Sequence, residues 1–147
     1  KFVMIGGHSD KKYIEKLLVH KPENLLTTEK LSFDDALKYF DDATIFVNTS
    51  SPGGDGFPNT FIQSWLRQTP VLSLGFDPDN VVVNNDLGFN LSSIDEAVIK
   101  ISTIMANYEV YRVLSQNAYD YGCQNHSIKV MTDNFLKVID NSEKHKI

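Results

Sequence analysis

The chain has 147 residues, enough for one sizeable core and one domain. An apolar fraction of 41% and a charged fraction of 22% match ordinary globular domains, which excludes a disordered chain, a collagen or a coiled coil. The formal net charge is −5, from 14 basic and 19 acidic residues. A nucleic-acid partner would call for a basic face, and the longest basic run is the pair Lys11-Lys12. Cys123 is the single cysteine, so no disulfide forms within the chain, and a reducing, cytoplasmic setting fits. No apolar stretch approaches the roughly 18 residues of a spanning helix, and no secretory signal is read at the start. The chain opens at Lys1 directly on a strand, without an initiator Met, and reads as an excised piece of something longer.

In chain order, Phe2–Ile5 is a short continuous apolar run ending in Gly6-Gly7, the pattern of a buried parallel strand entering a turn. Ser9 suits the cap of a helix carrying Tyr13, Ile14, Leu17 and Leu18 at helical spacing. Leu25-Leu26 reads as a second strand. Ser32 caps a further helix with Asp34 and Asp35 in its first turn and Phe33, Ala36, Leu37 and Phe40 on one face. Thr44–Val47 is the third strand. A helix is expected from Pro58 to about Arg67, then a strand at Pro70–Leu74, a turn at Phe76-Asp77-Pro78-Asp79, and β segments at Val81–Val83 and Gly88–Leu91. The remainder is helical, with three stripes: Ile94, Ala97, Val98, Ile101, Ile104 and Met105; then Tyr111, Leu114, Ala118 and Tyr121; then Ile128, Met131, Phe135 and Val138.

Strands alternating with helices predict βαβ units, hence a Rossmann-like α/β fold: a parallel sheet sandwiched by helices, with a helical C-terminal tail. Neither a repeat nor a linker interrupts the chain, so 1–147 reads as a single domain. Ligands of such sheets sit beyond the carboxyl ends of the strands. That rule selects Gly6–Ser9 after the first strand and Asn48–Pro58 after the third.

The second of these is the more informative. The glycines at 53, 54 and 56 let backbone N–H groups approach a ligand closely. Pro58 suits the first turn of a helix, where its missing N–H costs nothing. The unpaired N–H groups and the dipole at that terminus favour a phosphate. Asn59 and Gln63 share one face of the helix, while Phe61, Ile62, Trp65 and Leu66 supply the apolar one. A glycine- and proline-rich loop before a helix is also simply a turn, and this one matches neither a Walker P-loop nor a strict dinucleotide fingerprint.

With its surroundings the segment is more specific. Asp55-Gly-Phe-Pro-Asn-Thr-Phe-Ile-Gln63, followed by Ser-Trp and by Thr69-Pro70-Val71-Leu72-Ser73, resembles the C-terminal domain of GT-B glycosyltransferases. It is most similar to the retaining "group 1" enzymes with an E-x7-E motif. The likeness extends upstream through Phe2-Val-Met-Ile-Gly-Gly7 and Ala43-Thr-Ile-Phe-Val-Asn-Thr-Ser50, and downstream to Leu87-Gly88-Phe89. The resemblance implies a domain that binds a nucleoside diphosphate sugar as donor, with an acceptor-binding N-terminal domain of the same chain as partner. It implies transfer with retained configuration, no metal and no cofactor, in polysaccharide or glycoconjugate synthesis, with peripheral association of the full-length enzyme at the inner face of the membrane. Carried over by position, Asp55 contacts the donor sugar and is the catalytic candidate. Gln63 reaches the ribose, the backbone amides of Gly56, Phe57, Asn59 and Thr60 receive the diphosphate, Gly54 and Pro58 shape the loop, and Gly6 and Gly7 line the same cleft.

Two positions depart from the family. Asp55 is one methylene shorter than Glu, and Gln63 accepts a hydroxyl hydrogen bond without the charge that strengthens it. The Arg and Lys that the family uses as phosphate clamps would lie upstream of Lys1. Two other readings therefore stay open: a GT-B-like sugar-nucleotide epimerase, and a domain that keeps the fold but has lost catalysis.

The remaining polar residues carry less. His8 sits in a strand-end turn, where a capping role and a cleft-facing role are both open. His20, His126 and His145 lack metal-ligand spacing, which argues against a zinc site. Asp77-Pro78-Asp79 reads as turn chemistry of the Asx type, with a border to the donor sugar as its alternative. Trp65 and the tyrosines at 108, 111, 119 and 121 fit packing at helical spacing as well as a sugar platform. Ser50 and Ser51 form no nucleophile elbow, and Lys144–Lys146 reads as a solvated end.

Overall fold

The computed structural model describes residues 1–6, 11–50 and 56–144. They divide into two compact units, one from Lys1 to Tyr39 and the other from Phe40 to Ile147. In the first, β1 (Phe2–Ile5) and β2 (Leu25–Thr28) pair in parallel, Phe2 opposite Leu25 and Ile5 opposite Thr28, with α1 (Lys11–Val19) as the crossover. This is the βαβ unit the sequence predicts. The expectation of a buried first strand does not hold: Phe2 and Val3 are 50% and 40% exposed. A sheet of two strands leaves β1 as an edge, so its apolar run is covered only in part. Helix α2 (Phe33–Asp41) starts as expected, with the Ser32 hydroxyl accepting from the Asp35 N–H at 3.1 Å. Of its predicted apolar face, Ala36, Leu37 and Phe40 are half-buried and Phe33 is exposed.

The second unit is built on a three-stranded parallel sheet in the order β3 (Phe46–Asn48), β4 (Val71–Leu74), β5 (Gly88–Leu91). Phe46 lies opposite Val71, and Val71 opposite Gly88. The central strand carries Val71, Leu72 and Ser73 fully buried, as a strand covered on both faces should. Helix α3 (Asn59–Trp65) connects β3 to β4 and drives Phe61 and Trp65 into the core. With Val71, Val81, Val82, Leu87 and Ala118 they form one cluster, flanked by Phe46, Phe76 and Tyr121.

Gly88 is fixed by the closeness of β4. A Cβ there would lie 1.7 Å from the Val71 carbonyl oxygen, and its φ of +147° is open to glycine alone among unstrained residues. The apolar pattern around it reads as a strand, and it is one.

One expected strand is instead a helix. Val81–Val83 is β-branched and apolar, yet it opens α4 (Val81–Asn84). The Asp77 carboxylate decides this: its two oxygens accept from the N–H groups of Val82 at 2.9 Å and Val83 at 3.1 Å. Those two charge-assisted bonds to orphan first-turn donors outweigh strand propensity over so short a stretch. The Asp77-Pro78-Asp79 turn is thus capping chemistry.

Helices α5 (Ile94–Ala106), α6 (Tyr108–His126) and α7 (Ile128–Lys144) complete the unit. Ser93 caps α5 by accepting from Glu96 N–H, while the Glu96 carboxylate accepts from the N–H and hydroxyl of Ser92. Asn107 caps α6 by accepting from Glu109 and Val110 N–H. The stripe on α6 faces inward, with Leu114 and Ala118 buried. The stripe on α5 is wider than the face it buries: Ala97 and Ile104 are covered, whereas Ile94, Val98 and Met105 are exposed. On α7 the whole predicted stripe, Ile128, Met131, Phe135 and Val138, is exposed.

Candidate functional site

The loop between β3 and α3 leaves the sheet over a buried polar bridge. Asn48, at the carboxyl end of β3, donates from Nδ2 to the Ser73 hydroxyl on β4 at 2.9 Å. The remaining Asn48 oxygen accepts weakly from the Ser50 N–H, at 3.4 Å. A strand-end Asn that bonds the neighbouring strand and turns back on its own chain sets where the loop departs.

Beyond this point Ser51 and the candidates Gly53, Gly54 and Asp55 lie outside the described residues, as do Gly7, His8 and Ser9. Gly56 and Phe57 form a bend leading into Pro58 and α3. Pro58 is the N-cap of α3, one position before the place its ring geometry suggests, with φ −68° and ψ 122°. It is buried and fixes the entry of the chain.

Asn59 and Thr60 follow in the first turn, both exposed, and Gln63 lies one turn on, half-buried. No side chain caps this end of the helix. The contrast with α5, α6 and the Asp77-capped α4 is plain, because those ends have their first-turn donors satisfied from within the chain. At α3 the Pro58 carbonyl takes the Phe61 N–H at 3.0 Å. Gly56, Phe57, Asn59 and Thr60, all exposed, thus flank the buried Pro58 at a helix end that no side chain caps.

The C-terminal end of α3 is anchored more firmly. The Ser64 hydroxyl donates to the Thr69 carbonyl at 2.5 Å, and the Thr69 hydroxyl to the Phe40 carbonyl at 2.9 Å. Gln68 takes a left-handed conformation with φ +59°, and Ser115 on α6 donates to its carbonyl at 2.6 Å. These bonds tie the end of α3 and the loop that follows it to Phe40 and to α6.

Packing beneath the turn is aromatic. The Phe57 ring lies 5.9 Å from that of Trp65 and 5.4 Å from that of His126 at the end of α6, and Tyr121 closes the group at 5.3 Å from Trp65. Trp65 is core rather than a sugar platform, since it is fully buried. Tyr121 is half-buried, whereas Tyr108 is 74% exposed. Burial pushes the Tyr121 phenol up and the His126 imidazole down from their ordinary values.

Gly6 closes β1 in the first unit with φ +150° and open space where a Cβ would stand. That unit also holds an open depression lined by Lys1, Lys21, Pro22 and Glu23, which includes none of the predicted site residues.

The sequence pattern presents Asn48 only as the start of the loop Asn48–Pro58, Ser73 only as the end of the family-like segment, and His126 only as a histidine without metal-ligand spacing. His126 meets its partners from the far end of α6, a contact no local pattern reveals.

No protein-family profile matches the chain, and no curated protein matches it in sequence. Solved structures do match in fold. HepE of Anabaena, in complex with UDP-glucose, superposes with a TM-score of 0.77 at 14% identity, over 95% of this chain and 40% of HepE. HepE in complex with UDP gives 0.80 at 13% identity over the same shares. TarM gives 0.73 at 20% identity, over 93% of this chain and 28% of TarM. The fold is that of a GT-B C-terminal half. The chain spans about two-fifths of HepE and little more than a quarter of TarM. Among the described residues no helix is long and apolar enough to cross a membrane.

Proposed function

We propose that the chain is the donor-binding half of a glycosyltransferase, which moves a sugar from a nucleoside diphosphate sugar to an acceptor held by an N-terminal domain. One observation carries this reading. The motif from Asp55 to Gln63 runs into the uncapped end of α3, in a fold shared with HepE structures that hold UDP-glucose and UDP.

In this reading the backbone amides of Gly56, Phe57, Asn59 and Thr60 receive the diphosphate, Asp55 contacts the sugar and Gln63 the ribose. Gly54 and Pro58 shape the loop, whereas Gly6 and Gly7 enter through the resemblance alone. Preorganised amides stabilise the leaving diphosphate, a form of electrostatic catalysis that calls for neither metal nor cofactor. The sugar is transferred with retention, in polysaccharide or glycoconjugate synthesis, on the cytoplasmic side of a membrane.

Titration of the longer protein with UDP, GDP and UDP-glucose tests the binding half of this account. Failure to bind any of them sinks it. Anomeric proton NMR of the product then reads retention directly.

Gln63 favours a second reading, a domain that binds nucleotide sugar without turning it over. Sugar transfer by the longer native protein dismisses that reading, and conversion of the donor with no acceptor present would identify an epimerase instead.

A further inference from the structure

Among the described residues, two buried ring nitrogens find no hydrogen-bond partner: Nε1 of Trp65 and Nε2 of His126. Both belong to the aromatic group under the α3 entry turn, their ring centroids 6.1 Å apart. His126 is held on three sides, by Phe57 at 5.4 Å, Tyr121 at 5.7 Å and Trp65.

A neutral imidazole protonated at Nδ1 tolerates this place, since its bare Nε2 forgoes only an acceptor role. An imidazolium does not. It would carry an N–H donor at Nε2 with no acceptor among the described residues, in surroundings that remove part of its water. The Tyr121 phenol is a titratable group packed against the ring, its centroid 5.7 Å away. Burial is the cause of the downward shift of His126.

We propose that His126 is a pH-sensitive positioning residue: its neutral ring clamps Phe57 and with it the turn into α3, and protonation releases the clamp. Its bearing on donor binding rests on the reading given under Proposed function. The sign follows from the depressed value. The clamp is complete above the ordinary histidine pKa of about 6.5, and it is lost as pH falls from there through the lower folded value.

Trp65 is the only tryptophan, so its fluorescence reports on the group directly. A pH titration of the chain is expected to give one transition with a midpoint below about 6.5, with far-UV circular dichroism unchanged across it. The His126 imidazole signals in NMR should move with the same midpoint. His126→Phe keeps a ring in place and should abolish the fluorescence transition. Absence of a transition in the unmodified chain, a midpoint at or above the ordinary value, or survival of the transition in His126→Phe overturns the proposal. Should that variant fail to fold, the NMR signals assign the transition without it.

UDP-glucose, whose pyrophosphate keeps its charge throughout this range, tests the link to the ligand. Its affinity should weaken by up to about tenfold per pH unit below the midpoint, and should stay flat in His126→Phe. Affinity independent of pH in the unmodified chain would overturn the coupling. No binding at any pH would count against the donor-site reading, while the fluorescence arm still decides the clamp.

Discussion

Gly88 and Val71 touch backbone to backbone, and that contact makes the glycine irreplaceable. Gly88→Ala forces a Cβ into the Val71 carbonyl at a φ that alanine avoids. The expected cost is about 3 kcal/mol or more, read by chemical denaturation; a near-neutral result would contradict the packing described for β4 and β5. Asp77→Ala removes the cap of α4 and should cost about 1 kcal/mol, with Asp77→Asn recovering part of it. Gln63→Glu probes the candidate site itself. A charged acceptor on a ribose hydroxyl gains about 1 kcal/mol over an amide, or about fivefold in affinity for UDP, measured by calorimetry. No gain would move Gln63 away from the ribose. At this scale the sequence was legible where chemistry is local: Ser32 as a cap, Pro58 as an entry residue, and Asp77 as turn chemistry. It was silent on Asn48 with Ser73 and on His126 with Phe57, because those pairs form only when distant segments meet.

Among the elements, the strands were readable from short apolar runs bounded by turn residues, and all five observed strands start within two residues of the expected positions. The exception, Val81–Val83, shows why periodicity fails over so short a run. Three β-branched residues fit either state, and a carboxylate located before them in the chain settles the matter. Helix α7 shows a different limit. Its stripe announces a helix correctly but not a buried one, since the pattern reveals a face and says nothing of what covers it. Replacing Met131 and Phe135 by Lys should therefore leave the stability of this chain within about 0.5 kcal/mol for each change, as read from thermal melts. A larger loss would mean that the face is packed.

At the scale of the whole molecule, two units share one chain, and the chain matches two-fifths of HepE. On the proposed function, which assigns the acceptor to another domain, this chain by itself should give no turnover. Binding is a different matter, since the entry turn of α3 lies within the second unit. The most direct test is amide-resolved NMR of the chain titrated with UDP. Binding at the proposed donor site should give saturable shifts of the Gly56, Phe57, Asn59, Thr60 and Gln63 amides, in register with one another. Saturable shifts that bypass these five amides, or no shifts at all, would contradict it.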